Sequence, residues 1–203
     1  MSYRPICDTW ILARSKTKYY GSYPAGFLHR ARALLGVGPA DSVLHICGGK
    51  VREYPYRGFG PNDRTLDLDP ACQPDFLQDC RDPLPLRTVP RVVPTEHIHW
   101  DDVLTRRVNA AMEVDVQVPW DAVLIDRPYT SEDAAHYAPG AGVLPDINDL
   151  LKRSLGVVPP GHRVGVLDYL WPHPGKVGLE VAVVAVGTGR NGRARWFTVF
   201  ERI

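Results

Sequence analysis

The chain has 203 residues, of which 44% are hydrophobic and 23% are charged, with a formal net charge of +1 at pH 7. This composition is typical of a globular protein, and the length predicts a single domain over residues 1–203 that carries a modest insertion. The near-zero charge excludes a general attraction to polyanions, so binding to nucleic acid would require local clusters of cations. The N-terminal residues lack the apolar core of a signal peptide, and no run approaches the roughly 20 apolar residues that span a bilayer. We expect a soluble, cytoplasmic protein without a membrane partner.

The metal-binding residue types are scattered along the chain. The four cysteines form no CxxC pair, which a tetrahedral zinc site requires. His97 and His99 could share one face of a strand, but no carboxylate or cysteine pair lies near them. We therefore expect no metal site and cysteines that are idle or buried thiols.

Short apolar runs separated by turn residues predict the buried strands of an α/β protein. In chain order the pattern predicts a helix over 25–38, strands over 42–47, 64–70, 75–79 and 120–128, a helix over 147–161, and strands over 162–171, 179–189 and 193–203. Continuous apolar strands that alternate with helices indicate a parallel sheet, and the Asn191-Gly192 turn predicts an antiparallel hairpin between the last two strands.

Two segments lie outside this pattern. Residues 1–24 are predicted to form an N-terminal extension. Residues 85–119 are too long for a simple connection and are predicted to be an insertion between the third and fourth strands, with a helix over 100–112.

Candidate site residues follow the successive strands. In an open parallel sheet, ligands bind at the carboxyl ends of the strands. The first strand leads into the adjacent glycines of a sharp turn, the second and third lead into carboxylates, and the fourth ends in an Asp-x-Pro-aromatic tetrad. These residues are His45, Cys47, Gly48 and Gly49; Asp67 and Asp69; Asp79 and Cys80; and Asp126, Arg127, Pro128 and Tyr129.

Each of these signals has an ordinary explanation when taken alone. Adjacent glycines after a strand are usually a turn, and an acid at a strand end is usually a helix cap. Their order along successive strands favours function. In that order the glycines would let the backbone approach a ligand, Asp67 and Asp69 could accept hydrogen bonds from ribose hydroxyls, and Asp79 could accept one from an exocyclic amine.

The tetrad resembles the Asp-Pro-Pro-Tyr motif of the amino-methyltransferases that modify adenine N6 or cytosine N4, and DCRDPLP (79–85) is similar to the third motif of that family. The resemblance covers most of residues 20–203 and includes the closing hairpin, and the chain looks especially like small methyltransferase-like proteins of actinobacteria and their phages. It implies an enzyme with the Rossmann-like fold of the class I methyltransferases, with a mostly parallel seven-stranded sheet that ends in an antiparallel hairpin. It also implies S-adenosylmethionine as cofactor, bound by the candidate residues from His45 to Cys80, and catalysis by residues 126–129.

The tetrad has a physical logic of its own. Hydrogen bonds from an amine to the Asp126 carboxylate and to the carbonyl of residue 127 would favour a pyramidal nitrogen whose lone pair can attack a methyl group. Pro128 would stiffen the turn, and Tyr129 would offer a ring on which an extruded base can stack. Two positions depart from the family pattern: Arg127 replaces a proline and adds a cation that could meet a phosphate, and Val51 replaces the usual second glycine of the cofactor loop.

Cations mixed with aromatic side chains flank this site in sequence, which suits unpaired strands or extruded bases but is equally typical of a solvated surface. They are Arg14, Lys16, Lys18, Tyr19, Tyr20, Tyr23, Arg190, Arg193 and Arg195. The favoured function is methylation of an exocyclic amine in DNA, with adenine N6 before cytosine N4. The alternatives are a methyltransferase of RNA or of a small-molecule amine, and a relative that keeps the fold but has lost catalysis.

Overall fold

The computed structural model describes residues 4–15, 17–19, 22–93, 112–137, 143–188 and 194–203. The strands are β1 (Ile6–Leu12), β2 (Val43–Ile46), β3 (Arg64–Asp67), β4 (Phe76–Leu77), β5 (Arg87–Val93), β6 (Met112–Val118), β7 (Ala122–Ile125), β8 (Arg163–Asp168), β9 (Gly178–Thr188) and β10 (Ala194–Arg202). The α-helices are α1 (Phe27–Leu35), α2 (Ser131–Tyr137) and α3 (Ile147–Gly156), and short 3-10 helices cover Val51–Glu53 and Pro70–Cys72. None of the described helices has the length and apolar content needed to cross a membrane.

The chain divides into two compact units, residues 1–85 with 120–203, and residues 86–119. The larger unit contains one sheet of eight strands in the order β1-β9-β10-β8-β7-β2-β3-β4. Its strands pair in parallel except for β10, which is antiparallel to both β8 and β9. The predicted parallel sheet with an antiparallel hairpin is confirmed, and the eighth strand is β1, which lies in the segment predicted as an extension.

The smaller unit is an antiparallel pair of strands, β5 and β6, joined in register from Arg87 opposite Val118 to Val93 opposite Met112. Met112, the last residue of the helix predicted over 100–112, begins β6. The rest of that predicted helix lies outside the described residues, as do His97 and His99.

Both faces of the large sheet are covered, which explains the continuous apolar strands. In β7, Leu124 packs on the side of α1 with Phe27 and Phe197, whereas its neighbours Val123 and Ile125 pack on the side of α3. Helix α1 ends at Gly36, whose φ of 74° is the left-handed conformation that glycine adopts without strain.

The strand directions determine where the functional residues gather. Strands β2, β3, β4, β7 and β8 are mutually parallel, so their carboxyl ends lie at one edge of the sheet. Strand β1 runs in the same direction through its pairing with β9 and therefore also ends at that edge. Directly after β1, a backbone bridge joins Ala13 to Ala25, with the Ala25 N–H donating to the Ala13 carbonyl at 3.1 Å. The bridge therefore joins the two ends of the segment between Ala13 and Ala25, beside the carboxyl ends of the strands.

Candidate active site

A cavity of about 1020 Å³ opens at the carboxyl edge of the sheet. Its lining includes every candidate residue from the sequence except His45: Cys47, Gly48, Gly49, Asp67, Asp69, Asp79, Cys80, Asp126, Arg127, Pro128 and Tyr129. The residues that follow four different strands are thus brought together, as expected for ligand sites in parallel sheets. Their contacts show what each can do.

The turn after β2 needs small residues. Cys47 and Gly49 have φ values of 55° and 51° in the left-handed region, and a Cβ on Gly48 would lie 3.0 Å from the Cβ of His45. The Gly49 N–H donates to Asp67 Oδ2 at 2.9 Å, which ties this turn to the end of β3. The backbone therefore turns tightly and reaches the cavity with little side-chain bulk.

The two acids after β3 differ in their contacts. Asp67 accepts hydrogen bonds from the N–H groups of Gly49 and Asp69, and burial raises its pKa above the ordinary range despite them. Asp69 accepts from the Ala71 N–H at 2.8 Å and so caps the short helix over Pro70–Cys72. Asp67 is held rigidly by backbone donors at the cavity wall, whereas Asp69 both caps a short helix and lines the cavity. Its predicted role toward ribose hydroxyls stays a prediction.

The acid after β4 is paired with its own neighbour. Arg81 donates to Asp79 from Nε at 3.0 Å and from Nη2 at 2.6 Å, and this interaction lowers the pKa of Asp79. Next to it, Cys80 Sγ lies 4.0 Å from Cys47 Sγ. A ligand amine at Asp79 would therefore share the carboxylate with Arg81.

The tetrad after β7 contains a buried chain of hydrogen bonds. The Tyr129 hydroxyl donates to Asp126 Oδ1, and Arg195 Nη1, from β10, donates to the Tyr129 oxygen at 2.6 Å. Arg195 Nη1 is also 3.8 Å from Asp126 Oδ1. Burial raises the pKa of Asp126 to about 6, opposed by the positive charge of Arg195 and by the Tyr129 hydrogen bond.

Arg127 is already paired inside the protein. Its Nε lies 3.0 Å from Asp168 Oδ2, and the two side chains are 4% and 1% exposed. Burial raises the pKa of Asp168, and the charge of Arg127 opposes that rise. The guanidinium expected to meet a phosphate instead joins the end of β7 to the end of β8, so an ion pair stiffens the position where the family has proline.

His45 lies away from the cavity. Successive residues of a strand point to opposite faces, and β2 turns His45 into the protein beneath Phe59, where His45 Nε2 is 3.1 Å from Asp63 Oδ2. Asp63 is fully buried and also accepts two hydrogen bonds from Arg32. His45 thus belongs to a buried polar cluster that fastens the loop before β3.

Several lining residues were not singled out from the sequence as site residues. Asp168, which is the partner of the lining residue Arg127 and does not itself line the cavity, ends the next parallel strand, so the strand-end rule used for the other acids could have found it. Tyr23 and Tyr54 line the cavity, and the buried Tyr23 hydroxyl has no hydrogen-bond partner among the described residues. Arg195 was noted only as one of a group of cations. Of the other cations and aromatics noted, the cavity lining includes Arg14, Lys18 and Tyr19, while Lys16, Tyr20, Arg190 and Arg193 lie outside the described residues.

Helix α2 (Ser131–Tyr137) follows the tetrad, and residues 138–142 lie outside the described part. Across the described residues, no group of three His, Cys, Asp or Glu side chains is arranged to hold a metal ion. The described side chains that line the cavity include carboxylates, hydroxyls, thiols, lysines and guanidinium groups.

The sequence matches no protein-family model and no curated protein. Among solved structures, the chain is similar to TrmN from Thermus thermophilus, with 16% identity over 87% of this chain and a TM-score of 0.50. It is also similar to the rRNA methyltransferase aviRa from Streptomyces viridochromogenes, with 15% identity over 91% of this chain and 88% of that one and a TM-score of 0.44. The chain spans about half of TrmN, 48% of its length. The likeness to TrmN concerns the fold alone and, with the observed strand order, confirms the predicted Rossmann-like α/β fold.

Proposed function

We propose that this chain is an S-adenosylmethionine-dependent methyltransferase that acts on an exocyclic amine of a nucleobase, with adenine N6 in DNA as the first candidate. The observation that carries the proposal is the meeting of the Gly48-Gly49 turn, the Asp67 carboxylate and the tetrad from Asp126 to Tyr129 in one cavity. Its volume of about 1020 Å³ has room for a nucleoside cofactor together with an acceptor group.

The residues fit the parts of the cofactor. The tight turn at Gly48 and Gly49 lets the backbone approach the methionine portion, and Asp67, fixed by two N–H donors, keeps lone pairs for ribose hydroxyls. Cys80 and the paired Asp79 would border the adenine. When bound, the cofactor would supply its sulfonium methyl group.

The tetrad fits an amine acceptor. Among the described residues, Asp126 Oδ1 receives the Tyr129 hydroxyl, while no hydrogen bond is formed to Asp126 Oδ2 or to the Arg127 carbonyl. An amine that donates one N–H to each of these oxygens would be held with its lone pair directed away from both. Catalysis would then consist of positioning and of stabilising positive charge on the nitrogen.

Exposed aromatic side chains favour a nucleic-acid acceptor over a free small molecule. The rings of Tyr129 and Tyr169, which both line the cavity, are 4.8 Å apart. The rings of Trp171 and Trp196 are 5.4 Å apart, and Trp196 pairs in the sheet with Asp168, the residue before Tyr169. Tyr169, Trp171 and Trp196 are 42%, 46% and 37% exposed. Because every base has a flat aromatic face, such residues stack on unpaired strands of any sequence.

The test is the transfer of labelled methyl groups from S-adenosylmethionine to single-stranded and duplex DNA, to RNA and to a panel of small amines. We expect label in adenine of DNA from the wild type and none from Asp126→Asn, which keeps the size of the side chain but not its charge. Asp149→Asn, on the surface of α3 with a side chain 69% exposed, is the matched control and should leave transfer unchanged. Transfer by Asp126→Asn at the wild-type rate would refute the catalytic assignment, and label in RNA or a small amine alone would replace the DNA substrate.

A relative that has lost catalysis would bind the cofactor without transferring its methyl group. Cofactor at about 100 times its Kd adds about 2.7 kcal/mol to the free energy of unfolding, which raises Tm measurably. A stabilised protein that transfers no label to any acceptor would support this second candidate. No stabilisation at millimolar cofactor would contradict the proposed cofactor itself.

A further inference from the structure

We propose that Arg195 is a positioning residue, which acts through the Tyr129 hydroxyl to hold the Asp126 carboxylate ionised and oriented with Oδ2 turned to the acceptor amine. The inference rests on the proposed function and adds a residue to it from the last strand, which contributes nothing to the tetrad itself.

The geometry is a relay of three side chains from two strands that are not neighbours. Asp126 follows β7 and Arg195 lies on β10, with β8 between them in the sheet. Arg195 Nη1 donates to the Tyr129 oxygen at 2.6 Å, and the Tyr129 hydroxyl donates to Asp126 Oδ1. The Arg195 guanidinium carbon also lies 5.7 Å from the centre of the Tyr129 ring. The relay fixes both the hydroxyl and the ring of Tyr129.

One carboxylate oxygen is therefore held by the protein, and the other is available. Because Oδ1 is anchored, the carboxylate cannot rotate freely, and Oδ2 keeps one direction. The side chains of Arg195 and Asp126 are 14% and 9% exposed, so water replaces these contacts poorly. A donor polarised by a cation is also a stronger donor, which strengthens the bond from Tyr129 to Asp126.

Arg195 has a second effect, because its charge also changes the pKa of Asp126. Asp168, at the end of β8, raises the pKa of Asp126, whereas Arg195 and the Tyr129 hydrogen bond lower it. Arg127 is already paired with Asp168. Tyr23, Tyr54 and Cys47 are also within electrostatic range of Asp126.

These three groups are neutral at pH 7. Burial raises the pKa of Tyr23 and of Tyr54, and the hydrogen bond with Cys80 raises that of Cys47. Arg195, whose Nη1 is 3.8 Å from Asp126 Oδ1, is thus a nearby positive charge that opposes the effect of burial on the Asp126 pKa. With it, the pKa of Asp126 stays near 6 and the carboxylate is ionised at pH 7.

The test compares Arg195→Gln and Arg195→Lys with Arg202→Gln, which changes an arginine on the same strand that binds the carbonyls of Gly156 and Val158 instead. The first readout is the titration of the Asp126 carboxyl carbon by NMR in the cofactor-free protein. We expect a wild-type midpoint near 6, an upward shift of about 1 to 3 pH units in Arg195→Gln, a smaller shift in Arg195→Lys and none in Arg202→Gln.

The second readout is the pH profile of methyl transfer. If the midpoint rises by two units, the ionised fraction of Asp126 at pH 7 falls about tenfold, and kcat should fall with it while KM for the cofactor stays unchanged. If Arg195→Gln does not fold, Tyr129→Phe breaks the same relay at its middle and should raise the midpoint too.

An unchanged Asp126 midpoint in the Arg195 and Tyr129 variants, or an equal shift in Arg202→Gln, would overturn the inference. The NMR titration needs no activity, so it separates this outcome from failure of the proposed function, in which the wild type itself transfers no methyl group.

Discussion

The Nε atom of Arg127 lies 3.0 Å from the Oδ2 atom of Asp168, and both side chains are almost fully buried. This ion pair joins the ends of two neighbouring parallel strands, and its arginine lines the cavity next in sequence to Asp126. The conformation of the tetrad therefore depends on the carboxylate of Asp168, on the neighbouring strand, as well as on Pro128.

Asp168→Asn should leave the buried guanidinium of Arg127 without a counter-charge. Breaking a buried ion pair from one side costs about 3 kcal/mol or more of unfolding free energy, whereas breaking an exposed pair costs about 0 to 1 kcal/mol. Urea unfolding of Asp168→Asn and of Asp149→Asn, which breaks the exposed pair with Lys152, measures both effects. Equal losses of unfolding free energy in the two variants would show that the buried pair contributes no more to stability than the exposed pair.

Gly48→Ala should weaken cofactor binding. The added Cβ would lie 3.0 Å from the Cβ of His45 and 3.3 Å from Cγ2 of Thr65, so the turn must shift where it borders the cavity. We expect at least a tenfold higher Kd for S-adenosylmethionine by calorimetry, about 1.4 kcal/mol. Gly156→Ala, where a Cβ meets nothing within 4 Å, is the control. Wild-type affinity in Gly48→Ala would exclude close approach of the cofactor at this turn.

Trp171→Ala and Trp196→Ala should weaken binding of an unpaired strand. Stacking on an aromatic side chain contributes about 1–3 kcal/mol per base, so Kd for a single-stranded oligonucleotide should rise roughly 5- to 150-fold. The affinity for S-adenosylmethionine should stay the same, as should both affinities in Ile203→Ala, which removes an exposed apolar side chain at the C-terminus. Fluorescence anisotropy measures the effect, and unchanged binding in both tryptophan variants would argue for a small acceptor.

The stability of the wild type should fall as pH rises from about 4 to 6 because of Asp126. Its pKa is about 6 in the folded protein and near 3.8 when unfolded, so the folded state binds more protons across this window and loses stability as they dissociate. The cost at pH 7 is about 3 kcal/mol. Asp126→Asn should therefore be more stable than the wild type at pH 7 and similar to it below pH 4 in urea unfolding. A variant less stable at every pH would contradict the raised pKa.

The sequence predicted the strand bodies well because buried parallel strands read as continuous apolar runs, as in β7 and β8. Strand β1 was missed, since only Trp10 and Leu12 of its seven residues are buried and the others face solvent. Strand β3 ends before Asp69 because that carboxylate caps the following turn. Local side-chain chemistry thus set boundaries that hydrophobic periodicity could not.

The predictable part of the site is the part that follows from one rule, that ligands bind at the carboxyl ends of parallel strands. That rule places the candidate acids and the tetrad at one edge, but it ignores which face of a strand a residue occupies, so it included His45 in the middle of β2. The rule missed Arg195 for another reason. Its contact with Tyr129 depends on β10 lying beside β8, a long-range neighbour relation that no local pattern contains.

The bridge between Ala13 and Ala25 has a consequence for how this cavity can diversify. Ala13 and Ala25 are joined to each other, so the length of the segment between them can change without shifting the pairing of the sheet strands. Doubling such a loop costs only about 0.6 kcal/mol in closure entropy. The residues that this segment contributes to the cavity lining include Arg14, Lys18 and Tyr23. Insertions and deletions there would change this part of the cavity lining at little thermodynamic cost, and the residues proposed to bind the cofactor after β2 and β3 lie outside the segment.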